Sequence, residues 1–163
     1  MSLDYDFEIK TSLSPKDVSE ILAKFHNTSI DDERYNSFRI TGTTIGAIEY
    51  KDKPDFVVEK YLDGFSFFPN VRVDFTQVVQ DGFELSQQSI AKSVAELFKK
   101  TKGKAVFLFD YDKTIAQRLN GDLIEIHIEG DEDYADYYDW LVEEFDKAGL
   151  NYVRRVLPSP LQM

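Results

Sequence analysis

The residue types best suited to chemistry lie together at Asp110-Tyr111-Asp112-Lys113-Thr114, directly after the apolar run Ala105-Val106-Phe107-Leu108-Phe109. Carboxylates can act as nucleophiles, carry protons and hold Mg²⁺, so two of them one residue apart at a strand end form a candidate site. A calcium loop beginning at Asp110 does not fit. Its sixth position is Ile115 where glycine is needed, and its twelfth is Gly121 where glutamate is needed. The chain has two histidines and no cysteine, which removes disulfides and thiolate chemistry and leaves too few ligands for a zinc set. It contains neither a glycine-rich phosphate loop nor a nucleophile elbow. No resident metal or cofactor is expected.

The segment resembles the Asp-x-Asp-x-Thr of the haloacid-dehalogenase phosphohydrolases. That resemblance implies Asp110 as nucleophile, Asp112 as acid/base, Thr114 as a phosphate contact, and Mg²⁺ held by the two aspartates. Lys113 stands where those enzymes usually have glycine. Their motif also feeds a parallel, helix-flanked sheet, which brings a Ser/Thr, a Lys and a further acidic pair. The 49 residues after Thr114 read instead as a hairpin strand, one helix and a tail. The chain is therefore read as non-enzymatic, with Asp110 and Asp112 leaving a strand end. An Mg²⁺-dependent phosphohydrolase is the alternative.

The elements that position this segment follow from periodicity. Leu3 to Lys10 alternates, Tyr5, Phe7 and Ile9 against Asp4, Asp6, Glu8 and Lys10, and predicts a half-buried strand. Ser14-Pro15-Lys16-Asp17 opens a helix whose buried stripe is Val18, Ile21, Leu22 and Phe25. His26 ends it, where a cation suits the helix dipole. After a polar loop over 27–37 come short strands at Phe38–Thr41 and Thr44–Tyr50, with Gly46 a candidate bulge. Residues Phe56 to Leu62 fit strand or helix. Phe65, Phe67 and Phe68 read as a buried loop or strand edge. Val71 to Val79 is a strand, and Ser86 caps a helix running to Lys100 with Ile90, Val94, Leu97, Phe98 and Thr101 buried. Gly103 closes it, and Lys99, Lys100 and Lys102 suit its negative end. Ala105–Tyr111 and Leu123–Ile128 are strands joined through Asn120-Gly121, with His127 an exposed sheet residue. A helix spans about Asp133 to Ala148, burying Tyr134, Tyr137, Tyr138, Leu141 and Phe145, and Tyr152–Val156 can add a strand.

The formal charge of −11 disfavours direct binding to nucleic acid or to an acidic membrane, and would steer a basic protein inward. Eight acids and no base lie between Asp131 and Asp146. Asp136, Asp139, Glu143 and Asp146 share one side of the last helix and are the candidate partner-binding residues. An acidic nucleic-acid mimic is a further alternative. The N-terminus shows no signal peptide and no apolar run is long enough to span a bilayer, so a cytoplasmic location is expected.

Taken in order, the landmarks Leu3-Asp4-Tyr5-Asp6, the Ser14-Pro15 helix, Val71-Arg72-Val73-Asp74-Phe75, Leu97-Phe98, Ala105-Val106-Phe107-Leu108-Phe109 and Gly121-Asp122-Leu123 resemble the bacterial swarming-inhibition immunity proteins. These are antidotes to toxins exchanged between cells, and the resemblance covers about residues 3–128. It implies neutralisation of a toxin by binding, without catalysis, and assigns no site residues. The expected fold is a single α+β domain over residues 1–163, a largely antiparallel sheet of about six strands with three helices packed on one face.

Overall fold

The structure, a computed structural model, describes residues 2–40, 42–49, 67–78, 83–110, 113–128 and 138–157. The elements are β1 (Ser2–Ile9), α1 (Pro15–Phe25), β2 (Phe38–Ile40), β3 (Thr43–Glu49), β4 (Val71–Val78), α2 (Phe83–Lys100), β5 (Ala105–Phe109), β6 (Lys113–Asn120), β7 (Leu123–His127), α3 (Asp139–Ala148) and β8 (Tyr152–Arg155). The strands form one sheet in the order β2-β3-β4-β1-β5-β6-β7-β8. Every neighbouring pair is antiparallel except β7–β8, which is parallel. Among the described residues, the α+β class and three helices agree with the sequence reading, but the sheet has eight strands rather than about six. The strand missing from that reading is β6.

β1 lies inside the sheet, and its register fixes the core. Phe7 stands between Val73 of β4 and Phe107 of β5. Tyr5, Phe7 and Ile9 join Ile45, Ala47, Val71, Val73 and Phe75 on the helix-covered face. Fully burying one such large side chain contributes roughly 1.5–3 kcal/mol. Ser14 caps α1 as expected: its hydroxyl accepts from the Asp17 N–H at 3.1 Å, and the Asp17 carboxylate accepts from the Ser14 N–H at 3.2 Å. The buried face of α1 is rotated from the expected stripe. Val18, Ser19, Leu22 and Ala23 are buried, whereas Phe25 is 40% exposed. Ser19 tolerates burial because its hydroxyl donates to the Asn36 carbonyl.

α2 buries the expected stripe, together with Ala91 and Ala95. Ser86 is not its cap. The helix begins at Phe83, and Ser86 is a buried residue within it, bonded to the Thr43 hydroxyl and, at 3.2 Å, to the Gly42 carbonyl. Arg118 of β6 closes the other end. Its guanidinium donates to Gly103 O at 2.7 Å, Phe98 O at 2.8 Å and Thr101 Oγ1 at 3.3 Å. Gly103 itself takes φ +100°, and a Cβ there would come within 2.9 Å of the Lys10 carbonyl oxygen, so glycine is required.

Gly46 is not a bulge, since it pairs in register with Asp74. The loop after α1 lies against it: a Cβ would stand 3.1 Å from Tyr35 O and 3.2 Å from Ser37 Cβ. On the opposite face of the sheet, Val106 and Leu108 form a second cluster with Phe67, against which Phe68 and Leu119 pack. Phe67 is thus buried as expected; Phe65 and the ambiguous stretch 56–62 lie outside the described residues. The polar side of β1 is not left in water either, because Asp6 and Glu8 are both buried.

Candidate functional site

Phe109 pairs with Lys113, so β5 and β6 run antiparallel on either side of the aspartate segment. Asp110 sits there at φ +52°, a left-handed conformation that aspartate adopts more readily than most residues. It is exposed, and its backbone N–H donates to Asp4 O at 2.9 Å. Tyr111 and Asp112 lie outside the described residues. Thr114 is buried in β6 opposite Leu108, at 2% exposure. Lys113 places its ammonium 5.9 Å from the centre of the Tyr138 ring. The strand after the motif therefore returns antiparallel to the strand before it, where the phosphohydrolase arrangement has a parallel, helix-flanked sheet. Of its two described members, Asp110 is exposed and Thr114 buried.

The acidic helix is described from Asp139 onward; Asp136, Tyr134 and Tyr137 lie outside the described residues. Tyr138, Leu141 and Phe145 are buried, and the Phe145 ring packs edge-on against Phe98 of α2 at 5.6 Å. Gly149 ends the helix in the left-handed conformation, φ +70°. Burying that stripe turns Asp139, Glu143 and Asp146 outward, and all three are exposed.

β8 runs beside this face and meets its acids. Arg154 Nη2 lies 3.0 Å from Asp139 Oδ1, and the Tyr152 hydroxyl donates to Asp146 Oδ1 at 2.6 Å. The bond to Asp146 holds the Tyr152 proton and raises its pKa, with burial adding to the effect. Further along β8, Arg155 pairs with Glu125 of β7. The sequence shows eight acids and no base along this segment; the fold brings an arginine and a phenol to it. Such exposed pairs contribute only about 0–1 kcal/mol, but they fix where the carboxylates point. The signal in the chain was Tyr152-Val153-Arg154-Arg155 itself, a strand whose alternate residues reach the helix. Nothing local to α3 reveals that pairing.

Both histidines differ from expectation. His26 is the last residue of the α1 turn, but its Nε2 lies 2.7 Å from Ser93 Oγ of α2. Burial lowers its pKa, and nearby Lys92 lowers it further, so the neutral ring is favoured over a dipole-capping cation. His127 is buried rather than exposed, at 8%, and its Nδ1 accepts the Leu157 N–H at 2.8 Å. The chain leaving β8 covers that side of β7. Among the described residues no group of three or more His, Cys, Asp or Glu is arranged to hold a metal ion. None of their helices is long and apolar enough to cross a membrane.

This mixed sheet and the helices packed on it carry the landmarks that suggested an immunity protein. The SitI3-like family model matches residues 3–137, and the chain belongs to that family. No curated protein and no solved structure matches the chain. The matched span holds β1 through β7 and the first two helices, and ends just before α3.

Proposed function

We propose that this protein is a cytoplasmic immunity protein that neutralises a cognate toxin by binding it directly. Membership of the SitI3-like family over residues 3–137 carries this reading. The partner is a basic toxin domain, and the contact surface is the outward side of α3, Asp139, Glu143 and Asp146, with Asp136 preceding them in the chain. A net charge of −11 draws such a partner in over distances of about a Debye length. Arg154 and Tyr152 hold two of the carboxylates in place, which lowers the ordering cost when a lysine or arginine of the toxin docks. The protein performs no catalytic step in this role; it occludes.

Co-expression tests it. Cells producing a candidate cognate toxin are expected to survive when the chain is present and to die without it. Death in both cases counts against the immunity role.

A further inference from the structure

The back of the sheet holds a group that toxin binding does not use. Asp6 and Glu8 point to the same face of β1 and are closed off from solvent, at 1% and 0% exposure. Across β4, Asp74 stands opposite Asp6 and Arg72 opposite Glu8. Arg72 also reaches Asp74, with Nε 2.9 Å from Oδ1. Across β5 the neighbours are apolar, Leu108 opposite Asp6 and Val106 opposite Glu8, with Phe67 and Phe68 packed on them. Toward the strand end lie half-buried Asp4 and, beside it, exposed Asp110. Among the described residues, then, three further carboxylates and one guanidinium surround the Asp6–Glu8 pair.

Among the described residues, neither side-chain oxygen of Asp6 meets a hydrogen-bond donor. An ionised carboxylate so placed loses its hydration and stands among like charges, with Arg72, already paired to Asp74, as the opposing cation, so the charged form is disfavoured. A neutral carboxyl escapes that cost, because its own proton supplies the missing hydrogen bond and Glu8 is the acceptor two residues along the same face. We propose that Asp6 and Glu8 share one proton, and that this proton is a pH-sensitive lock on the inner strand of the sheet, closed when bound and released as the solution turns alkaline. Burial raises the Asp6 carboxyl well above its ordinary value; Glu8 and then Asp74 raise it further, and Arg72 opposes them. Asp74 is raised as well, chiefly by burial and against the pull of Arg72.

The direction of the effect follows. The unfolded chain releases this proton near the ordinary Asp value of about 4, whereas the folded chain keeps it. The pair's contribution to stability is full below that value and is lost as pH rises through the raised folded value. The experiment is urea unfolding of the full chain and of Asp6→Asn across about pH 4 to 9, the asparagine being a neutral group with no proton to release. His26 titrates alike in both proteins and cancels in the difference. The expected result is a folding constant that falls, relative to the variant, by up to about tenfold per pH unit where the pair gives up its proton. Parallel profiles overturn the proposal. If Asp6→Asn does not fold, the parent decides alone through the carboxyl ¹³C shifts of Asp6 and Glu8. One proton held between them at neutral pH is expected, and two ionised carboxylates at that pH overturn it.

Discussion

Arg118 ties β6 to the end of α2 by placing donors on Gly103 O, Phe98 O and Thr101 Oγ1, with its guanidinium 5.3 Å from the Phe98 ring centre. Phe98 O is one of the carbonyls that a helix end leaves without partners, Gly103 O lies in the chain just beyond it, and the planar fork reaches both at once. Arg118→Met is expected to lower stability by about 2–4 kcal/mol in urea unfolding, and Arg118→Lys to recover only part of that. His26 makes a pH prediction of its own. Its lowered pKa means that the fold resists protonation, so stability is present above the ordinary histidine value of 6.5 and falls as pH drops below it. His26→Gln, which retains a donor toward Ser93, should show a flatter stability profile between about pH 5 and 7. Residues of this kind were the least legible in the sequence. His26 finds its partner 67 residues away, and His127 finds its own 30 residues away. Chain neighbours could suggest only a cap and an exposed strand position.

Among the elements, β1, β4 and α2 were readable because each keeps a clean period with one apolar face, and the Ser14 start of α1 stood where its chemistry predicts. β6 was hidden for a physical reason. Lys113–Asn120 is buried on both faces, and its sequence KTIAQRLN places polar Thr114, Gln117 and Arg118 among the buried positions. The Gln117 side-chain amide N–H donates to Glu125 at 3.2 Å, and the Arg118 guanidinium donates to the end of α2, so these polar residues tolerate burial and no alternation survives. The register shift at Phe107/Leu108 disturbs the period again. With β6 unread, the aspartate segment looked like an open strand end instead of a link between two antiparallel strands. At φ +52°, Asp110 is expected to accept glycine with little change in unfolding midpoint, whereas Asp110→Val should cost about 1–2 kcal/mol. Equal midpoints for the two variants would contradict the left-handed turn.

For the molecule as a whole, the family match suggests a protein partner, and the basic character proposed for that partner rests on charge alone. The α+β class and the antiparallel character of the sheet were legible, and so was the immunity-type resemblance, which agrees with the SitI3-like match. The acidic side of α3 was legible as a charge pattern, but its reinforcement by β8 was not, because Arg154 and Asp139 meet only through the parallel β7–β8 pairing. If that side steers the toxin, replacing Asp139 and Asp146 by Asn and Glu143 by Gln should slow association about tenfold or more at low salt and flatten its salt dependence. An unchanged association rate moves the contact elsewhere on the protein while leaving the immunity role intact. Neutralisation itself is tested most directly with purified components, by measuring the activity of the cognate toxin domain while this chain is titrated in. The account predicts a stable complex and loss of toxin activity in step with complex formation. Full toxin activity at saturating concentrations of the chain would contradict it.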